Sequence, residues 1–577
     1  MKRIYPQLFF AIGGLGYLGG IMLPDKIKNI DPGKMGDIEG LKRAVEILMN
    51  VVEDLSHENE QLEKQVRQLR DENVRLKGGN ARPKIKGKKK RHTDISSGGK
   101  EKGMRREDEV KQPHKKCSSL EIDKEIKVEM DQKELPSDAI FKGYQPYYQQ
   151  DITITRNNKR FLLASYYSPS EKKTYRAAFP EGEPAGHFGP GIRSFINILH
   201  HYGNVTESGL AGMMKGFGIQ ISAGSISNLL KAEHSWSVEE QTAILQAGLA
   251  PGAATQMDCT GNRQRGENKV THIITAPLFS VFYTLQSKSR IDCLRALQGN
   301  PAAGVRLMWH KDMGDAFRDA KVSQSDTRAV MGLLEKQGSF QLSKDEFNAL
   351  LQTDAPSIYA KGRIVSILTE VMALHYYDHQ SKFQRLKVLL TDDAPEYNKI
   401  AEHHGLCWVH DARYYNKLSP QMEVCKQKLD TFKTKYWDFY QTLLDYQTLS
   451  WKDRDKRKPK IIRGFDRLFT PTTRYGQLDL CIERTLANKD PLLLVLDFPN
   501  LPLHNNAAEL AARRVVRKRD ISLHTWTDWG TQLRDAFLSI IETARKLDVS
   551  AYRYIHDRIT GQFQMPSLAT LITANST

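Results

Sequence analysis

The chain of 577 residues is long enough for several domains, and its 85 lysines and arginines outnumber its 68 aspartates and glutamates by 17. This charge favours a nucleic-acid partner, because phosphates attract cations whatever the base sequence. The six cysteines include no Cys-x-x-Cys pair, which argues against a disulfide framework and a zinc ribbon and fits a reducing cytoplasm.

Residues 1–35 contain an apolar, glycine-rich run from Leu8 to Leu23 that follows two cations. It is either a leader resembling a signal peptide or the product of a start codon assigned upstream of the true one, at Met22 or Met35. The cysteine usage and the charge favour the second interpretation and a cytoplasmic protein. No other stretch approaches the roughly 18 apolar residues of a membrane span, so a membrane is not an expected partner.

Residues 36–78 hold an unbroken heptad repeat with leucine at every d position and mostly β-branched residues or asparagine at a. This pattern predicts a parallel two-stranded coiled coil, and therefore a homodimer, in which buried asparagine fixes the register. The predicted dimer residues are Leu41, Leu48, Leu55, Leu62, Leu69 and Leu76 at d and Asn59 and Asn73 at a.

Residues 79–135 are predicted to be a disordered basic linker. Its segment 82–91 carries seven cations and no acid, and includes Lys88, Lys89 and Lys90 as candidate DNA contacts; a merely solvated linker is the alternative. A bZIP regulator is excluded because its basic helix precedes the zipper, whereas this segment follows it and contains Pro83.

Residues 136–188 are predicted to be a small β-rich region, with short strands at 151–155, 161–167 and 174–179.

The pattern of residues 189–248 predicts helices over 190–201, 206–215 and 222–233, with a Gly-Phe-Gly turn at 216–218. Two small helices joined by a short turn are typical of a helix-turn-helix, in which Ser225, Asn228 and Lys231 would contact DNA. A helical hairpin that binds no DNA is the alternative.

Residues 249–545 bring three acids into one pattern. Asp258 lies in a strand-like run that two further strand-like runs follow, over 270–276 and 279–285; Asp392 follows the buried-type strand 386–391; Glu509 lies on a helix. This is the layout of an RNase H-like two-metal site on a mixed sheet, so the predicted fold is multidomain α/β. Carboxylates suit Mg²⁺ or Mn²⁺, and two such ions can support an in-line displacement at phosphorus.

The Glu509 helix also has a purely structural interpretation. With Asn506 as N-cap, Glu509 occupies a capping-box position and Arg513 is its i+4 ion-pair partner. Arg513 and Arg517 share the face of Glu509 and are candidate phosphate clamps, and Lys518 is a further candidate DNA contact.

Several motifs resemble those of DDE transposases of the insertion-sequence-66 type, over roughly residues 136–560. They are Met257–Thr260, Leu390–Tyr397, Cys407–Arg413, Leu503–Arg513 and Ile541–Lys546. The resemblance implies that Asp258, Asp392 and Glu509 are the catalytic, metal-binding triad, with Asp392 preferred to Asp393 because it stands five residues before Tyr397. It also implies hydrolysis at transposon ends followed by strand transfer, with terminal inverted repeats, target DNA and accessory proteins of the same element as partners.

The sequence departs from that family by lacking a cysteine-rich zinc segment after the coiled coil. Helical insertions are predicted at about 290–385 and 414–490, and a C-terminal helix and tail at 546–577. Cys407 to His410 is predicted to be a short strand, and His410 or Arg413 is expected near the scissile phosphate by the motif match.

Other interpretations stay open at this point. Asp497 could replace Glu509, and His404, Cys407 and His410 have zinc-ligand spacing. A structure-specific nuclease of the same fold and a non-catalytic DNA-binding protein derived from a transposase are the alternative functions.

Overall fold

The computed structural model describes residues 38–76, 122–129, 131, 136, 139–180, 186–232, 235–250, 254–299, 304–337, 340–381 and 383–576. The apolar leader and Lys88, Lys89 and Lys90 lie outside these ranges. The chain divides into two compact units, the first of residues 1–92, 190–206 and 229–577 and the second of residues 93–189 and 207–228. No described helix is both long and apolar enough to cross a membrane.

The elements follow in chain order. The helices are α1 (Ile38–Leu76), α2 (Pro190–His201), α3 (Glu207–Gly216), α4 (Ala223–Lys231), α5 (Ser235–Leu249), α6 (Arg290–Leu297), α7 (Gly314–Asp319), α8 (Gln324–Lys336), α9 (Lys344–Asp354), α10 (Pro356–Tyr359), α11 (Gly362–His379), α12 (Trp408–Lys417), α13 (Glu423–Thr448), α14 (Trp451–Leu468), α15 (Gly476–Ala487), α16 (Lys489–Leu492), α17 (Asn506–Ser522), α18 (Asp528–Lys546), α19 (Ala551–Thr560) and α20 (Leu568–Ser576). The strands are β1 (Ser165–Ser168), β2 (Lys173–Arg176), β3 (Thr255–Gln264), β4 (Glu267–Ala276), β5 (Phe279–Leu285), β6 (Arg306–Met308), β7 (Gln341–Ser343), β8 (Val388–Thr391) and β9 (His403–Leu406).

The second unit contains the antiparallel hairpin β1–β2, helix α3 and the first residues of α4. The predicted strand at 151–155 is wrong, since those residues have no regular secondary structure and are exposed throughout. Among the described residues no strand pairs with this segment, and an alternating pattern forms a strand only with a partner that satisfies its backbone groups. The predicted helices at 206–215 and 222–233 correspond to α3 and α4.

A mixed five-stranded sheet of order β5-β4-β3-β8-β9 forms the centre of the first unit. Strands β3, β4 and β5 make an antiparallel meander, whereas β8 runs parallel to β3 and β9 parallel to β8. β3 continues past Asp258 to Gln264 because the chain reverses at Arg265 and Gly266, both of which have positive φ. Two consecutive positive φ values suit a tight hairpin turn.

Helix α18 covers the outer edge of the sheet. Asp535, Ser539 and Thr543, spaced one turn apart, accept hydrogen bonds from the backbone N–H groups of residues 284, 282 and 280 on β5, at 2.6, 3.0 and 3.1 Å. Four helical residues rise about 6.0 Å and two strand residues about 6.7 Å, so the two spacings match over this length. The amides of this edge strand are therefore occupied.

The two predicted insertions are packed differently. The first, from α6 to α11 with the ribbon β6–β7, buries Trp309, Phe317 and Phe347 in the same core as Met257 and Phe279 of the sheet. The second, from α12 to α16, has a separate aromatic core around Trp408, whose indole donates to the Leu492 carbonyl at 2.8 Å.

The strand predicted at Cys407–His410 is wrong. The strand β9 ends at Leu406, and Trp408 begins helix α12. Burial of Trp408 against helix α13, where its ring lies 5.5 Å from that of Tyr436, replaces the sheet pairing that the apolar run suggested.

Candidate active site

Strand register brings Asp258 and Asp392 side by side. Thr255 pairs with Leu389 and Gln256 with Leu390 in the parallel β3–β8 ladder. Continuing that register by two residues places Asp258 opposite Asp392, at the carboxyl end of β8. The two acids, 134 residues apart in sequence, thus lie at the same level, Asp258 within β3 and Asp392 directly after the last residue of β8.

Helix α17 brings Glu509 to the same strand. The Asn505 side-chain amide donates to the Met257 carbonyl at 2.9 Å, directly before Asp258, and the Ala508 amide donates to Gln256 Oε1 at 3.4 Å. One turn further along α17, Ala511 and Val515 pack in a cluster with residues of β4 and β5. Alanines here let the helix approach the sheet closely.

The three carboxylates are within electrostatic range of one another. The pKa of Asp258 is raised from 3.8 to about 6, chiefly by burial and to a smaller extent by the charges of Asp392 and Glu509, against the lowering effect of the Cys259 N–H that donates to Asp258 at 2.7 Å. A carboxyl group with a raised pKa beside two other acids is characteristic of sites that bind cations or transfer protons.

Glu509 is held by two basic side chains of α12. Its Oε1 lies 2.9 Å from Arg413 Nη2 and 3.3 Å from His410 Nε2. Burial, and then the Arg413 charge, lower the pKa of His410. The capping-box interpretation is wrong, because the N-cap is Asn505 without a side-chain cap bond, and Glu509 pairs with Arg413 instead of Arg513.

The donor set fits a hard divalent cation, since three carboxylates supply oxygen ligands. Among the described residues, no three acidic, histidine or cysteine side chains already meet as a metal cluster, and Glu509 is engaged by Arg413. Three buried polar atoms beside the acids, His410 Nδ1, Asn505 Oδ1 and Asn506 Oδ1, have no hydrogen-bond partner within the described part of the chain. These atoms suit a solvated, ion-binding pocket.

Asp393, the residue after Asp392, forms an ion pair with Arg484. Arg484 also pairs with buried Asp411 at 3.1 Å and stacks on the Tyr414 ring at 3.4 Å. Asp393 is thereby tied to the second insertion. Nothing in the sequence pattern signalled this network, because its members lie up to 91 residues apart.

The rival sites do not form. Asp497 is 59% exposed and pairs with Lys458, and the apolar run before it is helical rather than a strand. His404 bonds to Thr391 at 2.7 Å, while the Cys407 sulfur accepts the Asn505 N–H at 3.3 Å. With His410 on Glu509, these three side chains have separate partners, so the zinc-ligand interpretation is not supported.

The cations of α17 have different environments. Arg513 and Arg517 are exposed. Arg514 pairs with buried Glu542 at 3.2 Å, and Arg519 donates to the Gly261 carbonyl. Lys518 corrects the prediction for this helix: it is only 7% exposed and its ammonium donates to the His200 carbonyl, so it is not a surface contact for DNA.

The remaining predicted DNA contacts lie on α4. Asn228 and Lys231 are exposed and Ser225 is half-buried. Ser222 accepts the Ser225 N–H at 3.1 Å, which caps the helix at its first turn. The helix therefore presents polar side chains, although its contact with DNA stays a prediction.

A mixed sheet with acids on adjacent strands and a third on a crossing helix is consistent with the core of a transposase. Residues 369–533, which include Asp392 and Glu509, match the family model described as "Transposase IS66 family". This match confirms the resemblance seen in the sequence and supports a transposase role.

One relative adds to this comparison. The chain is 29% identical over 341 residues to the uncharacterized protein y4jO of Sinorhizobium fredii (strain NBRC 101917 / NGR234), an alignment that covers 58% of this chain and 100% of that protein. No solved structure matches the chain significantly.

Proposed function

We propose that the protein is a DNA transposase with an RNase H-like catalytic core, in which Asp258, Asp392 and Glu509 bind two Mg²⁺ or Mn²⁺ ions. The observation that supports this most strongly is the strand register that sets Asp258 opposite Asp392. When bound, the ions would supply an activated attacking oxygen and a stabilised leaving oxygen at the scissile phosphate.

Arg413 and His410 position Glu509 in this proposal. Arg413 is 42% exposed on its side chain, so a DNA phosphate can compete for its guanidinium. A phosphate bound by Arg413 would release Glu509 towards Asp258, which is why metal binding and substrate binding should favour each other. Exposed Arg513 and Arg517 lie one and two turns beyond Glu509 and suit phosphates further along the strand.

The partners follow from the chemistry of transposition. We expect terminal inverted repeats and target DNA as substrates, with Ser225, Asn228 and Lys231 of α4 contributing to end recognition. Pairing of two ends favours a homodimer through the heptad repeat of α1, and accessory proteins of the same element are compatible with this scheme.

The test compares two adjacent acids. Asp392→Asn should abolish both cleavage and strand transfer on DNA carrying the inverted repeats that flank the gene, with Mg²⁺ present. Asp393→Asn is the matched control, because it removes a carboxylate one residue away that pairs with Arg484. It should retain activity. Equal activity of both variants would refute the assignment of the triad.

Two further comparisons separate the alternative functions. Glu509→Gln should be inactive and Asp497→Asn active, since Asp497 pairs with Lys458 outside the site. Cleavage without joining of pre-cleaved ends would identify a nuclease of the same fold. Specific binding of the ends by the wild-type protein, with no metal-dependent cleavage, would identify a non-catalytic DNA-binding protein.

A further inference from the structure

Helix α1 uses one face to contact the second insertion of its own chain. Ala44 and Val51 are 7% and 5% exposed, and Glu53 is 2% exposed. Met49 packs against the aromatic core around Trp408. The first half of α1 is thus part of the folded first unit rather than a free arm.

Glu53 caps the start of helix α13. Its two carboxylate oxygens accept the Gln421 N–H at 2.9 and 3.0 Å, and Oε1 also accepts the Met422 N–H at 2.8 Å. Met422 is the N-cap and has no side-chain cap bond of its own. A carboxylate at a helix N-terminus also interacts favourably with the helix dipole, so Glu53 supplies from α1 the cap that α13 lacks.

Three more polar residues of α1 contact the start of helix α15 and Arg474, two residues before it. The Asn50 side-chain oxygen accepts the Gly476 N–H at 2.9 Å, Asp54 accepts from Gln477 at 3.2 Å, and Glu46 pairs with Arg474 at 3.2 Å. Asn50 and Glu53 therefore cap two different helices of the insertion from neighbouring turns of α1.

The capping and ion-pairing residues and the heptad seam lie on opposite sides of α1. In the heptad that places leucine at d, these residues occupy positions b, c and f, which at about 100° per residue centre roughly opposite the a/d seam. The apolar docking residues border the seam, with the buried Ala44 and Val51 at g and Met49 at e. The seam residues Leu41, Val45, Leu48, Val52, Leu55, Leu62, Val66 and Leu69 are 43–62% exposed.

We infer that α1 has two dedicated faces, one bound to the insertion of its own chain and the other kept clear for α1 of a second copy. Asn59 at an a position identifies the occupant, because it would lie opposite its own counterpart in a second copy and be left unpaired against an apolar partner. All of residues 61–70 are exposed. Most helical stability in proteins comes from packing of an amphipathic face, and a second copy would supply that packing for this exposed half of α1.

The two faces of α1 do not depend on the proposed function, but the role given to them here rests on it. If α1 is fixed to the insertion, and helix α12, whose Tyr415 lies in the aromatic core of the insertion, carries Arg413 beside Glu509, then pairing of two α1 helices sets the distance and angle between two catalytic sites. Glu53 and Asn50 are positioning residues in this scheme, since they act through α1 and touch neither DNA nor the acids.

The two faces can be tested separately in the full-length protein. Glu53→Ala should raise hydrogen exchange at the Gln421 and Met422 amides about tenfold or more while the mass by light scattering remains that of a dimer. Leu62→Asp should give a monomer with unchanged exchange at those amides. Glu39→Ala is the matched control, because Glu39 has the same heptad position as Glu53 but is exposed.

Three results would overturn the inference: dissociation by Glu53→Ala, unchanged exchange in Glu53→Ala, or loss of amide protection in Leu62→Asp. If Glu53→Ala fails to fold, Asn50→Ala gives an independent reading at the Gly476 amide. Neither measurement involves DNA, so a failed transposase assay and a failed docking assay remain distinguishable.

Discussion

The charge of Asp258 should lower the free energy of unfolding of the metal-free protein, and the gain in stability on removing that charge should be measurable. Burial, and after it the charges of Asp392 and Glu509, raise the pKa of Asp258 from 3.8 to about 6. Asp258→Asn keeps the shape of the side chain and an oxygen for the Cys259 N–H, which lies 2.7 Å away. It removes only the charge that the folded protein disfavours.

The sign and size of this stability change follow from the linkage between proton binding at Asp258 and folding. Because the folded pKa lies above the unfolded one, the folded chain binds the proton more tightly between pH 3.8 and about 6, and the free energy of unfolding falls as pH rises through this window. At about 1.4 kcal/mol per pH unit the loss reaches roughly 3 kcal/mol. Asp258→Asn should therefore be more stable than the wild type by up to about 3 kcal/mol at pH 8 and equal to it near pH 4.

The assay is thermal unfolding in chelator-containing buffer from pH 4 to pH 8. For a chain of this size the unfolding entropy gives about 1 °C per kcal/mol, so the variant should melt roughly 3 °C higher at pH 8. Exposed Asp497→Asn is the control and should melt with the wild type at every pH. A variant that is less stable than the wild type at pH 8, or a gain of equal size at both ends of the pH range, would refute the reasoning.

Four other substitutions test the packing and the site. Gly248→Ala would place its Cβ 2.3 Å from the buried Phe279 ring and should destabilise by about 1–3 kcal/mol in a urea titration; Gly332→Ala, which meets open space on α8, should stabilise by about 0.5–1 kcal/mol. Asp411→Ala should cost about 2–3 kcal/mol by the same titration, because it removes a buried carboxylate that accepts hydrogen bonds from Tyr436 and Thr485. Arg413→Ala should lower DNA cleavage about 100-fold with an unchanged melting temperature, and a parallel loss of stability would contradict a role at the phosphate.

Local patterns predicted the elements that carry the acids. The runs after Ala253, Val270 and Phe279 form strands close to the predicted positions, and the 386–391 run forms β8. The helical periodicity of α1 and the helix that carries Glu509 were also predictable. In each case the signal was a period of two or 3.6 residues, which depends only on neighbours in sequence.

Contacts between residues far apart in the chain could not be predicted from the sequence. Arg413 meets Glu509 across 96 residues, and no spacing rule links them. The cations of α17 formed one basic patch in the sequence, but a helix distributes successive residues around its axis, so Arg514 and Lys518 turn inward. The run from Cys407 was short and apolar, a pattern shared by buried strands and buried helices, and its burial against α13 decided for the helix.

The hydrogen bonds between α18 and β5 have a consequence for synthesis of the chain. Thr543 follows its partner Ser280 by 263 residues, so the ribosome completes the meander long before the helix that covers its edge. At roughly 5–20 residues per second, β5 waits about 13–53 s with open amides. During that interval a nascent chain can pair with its neighbour on the same messenger, and the supply of this protein would depend on chaperones that bind the unfinished sheet.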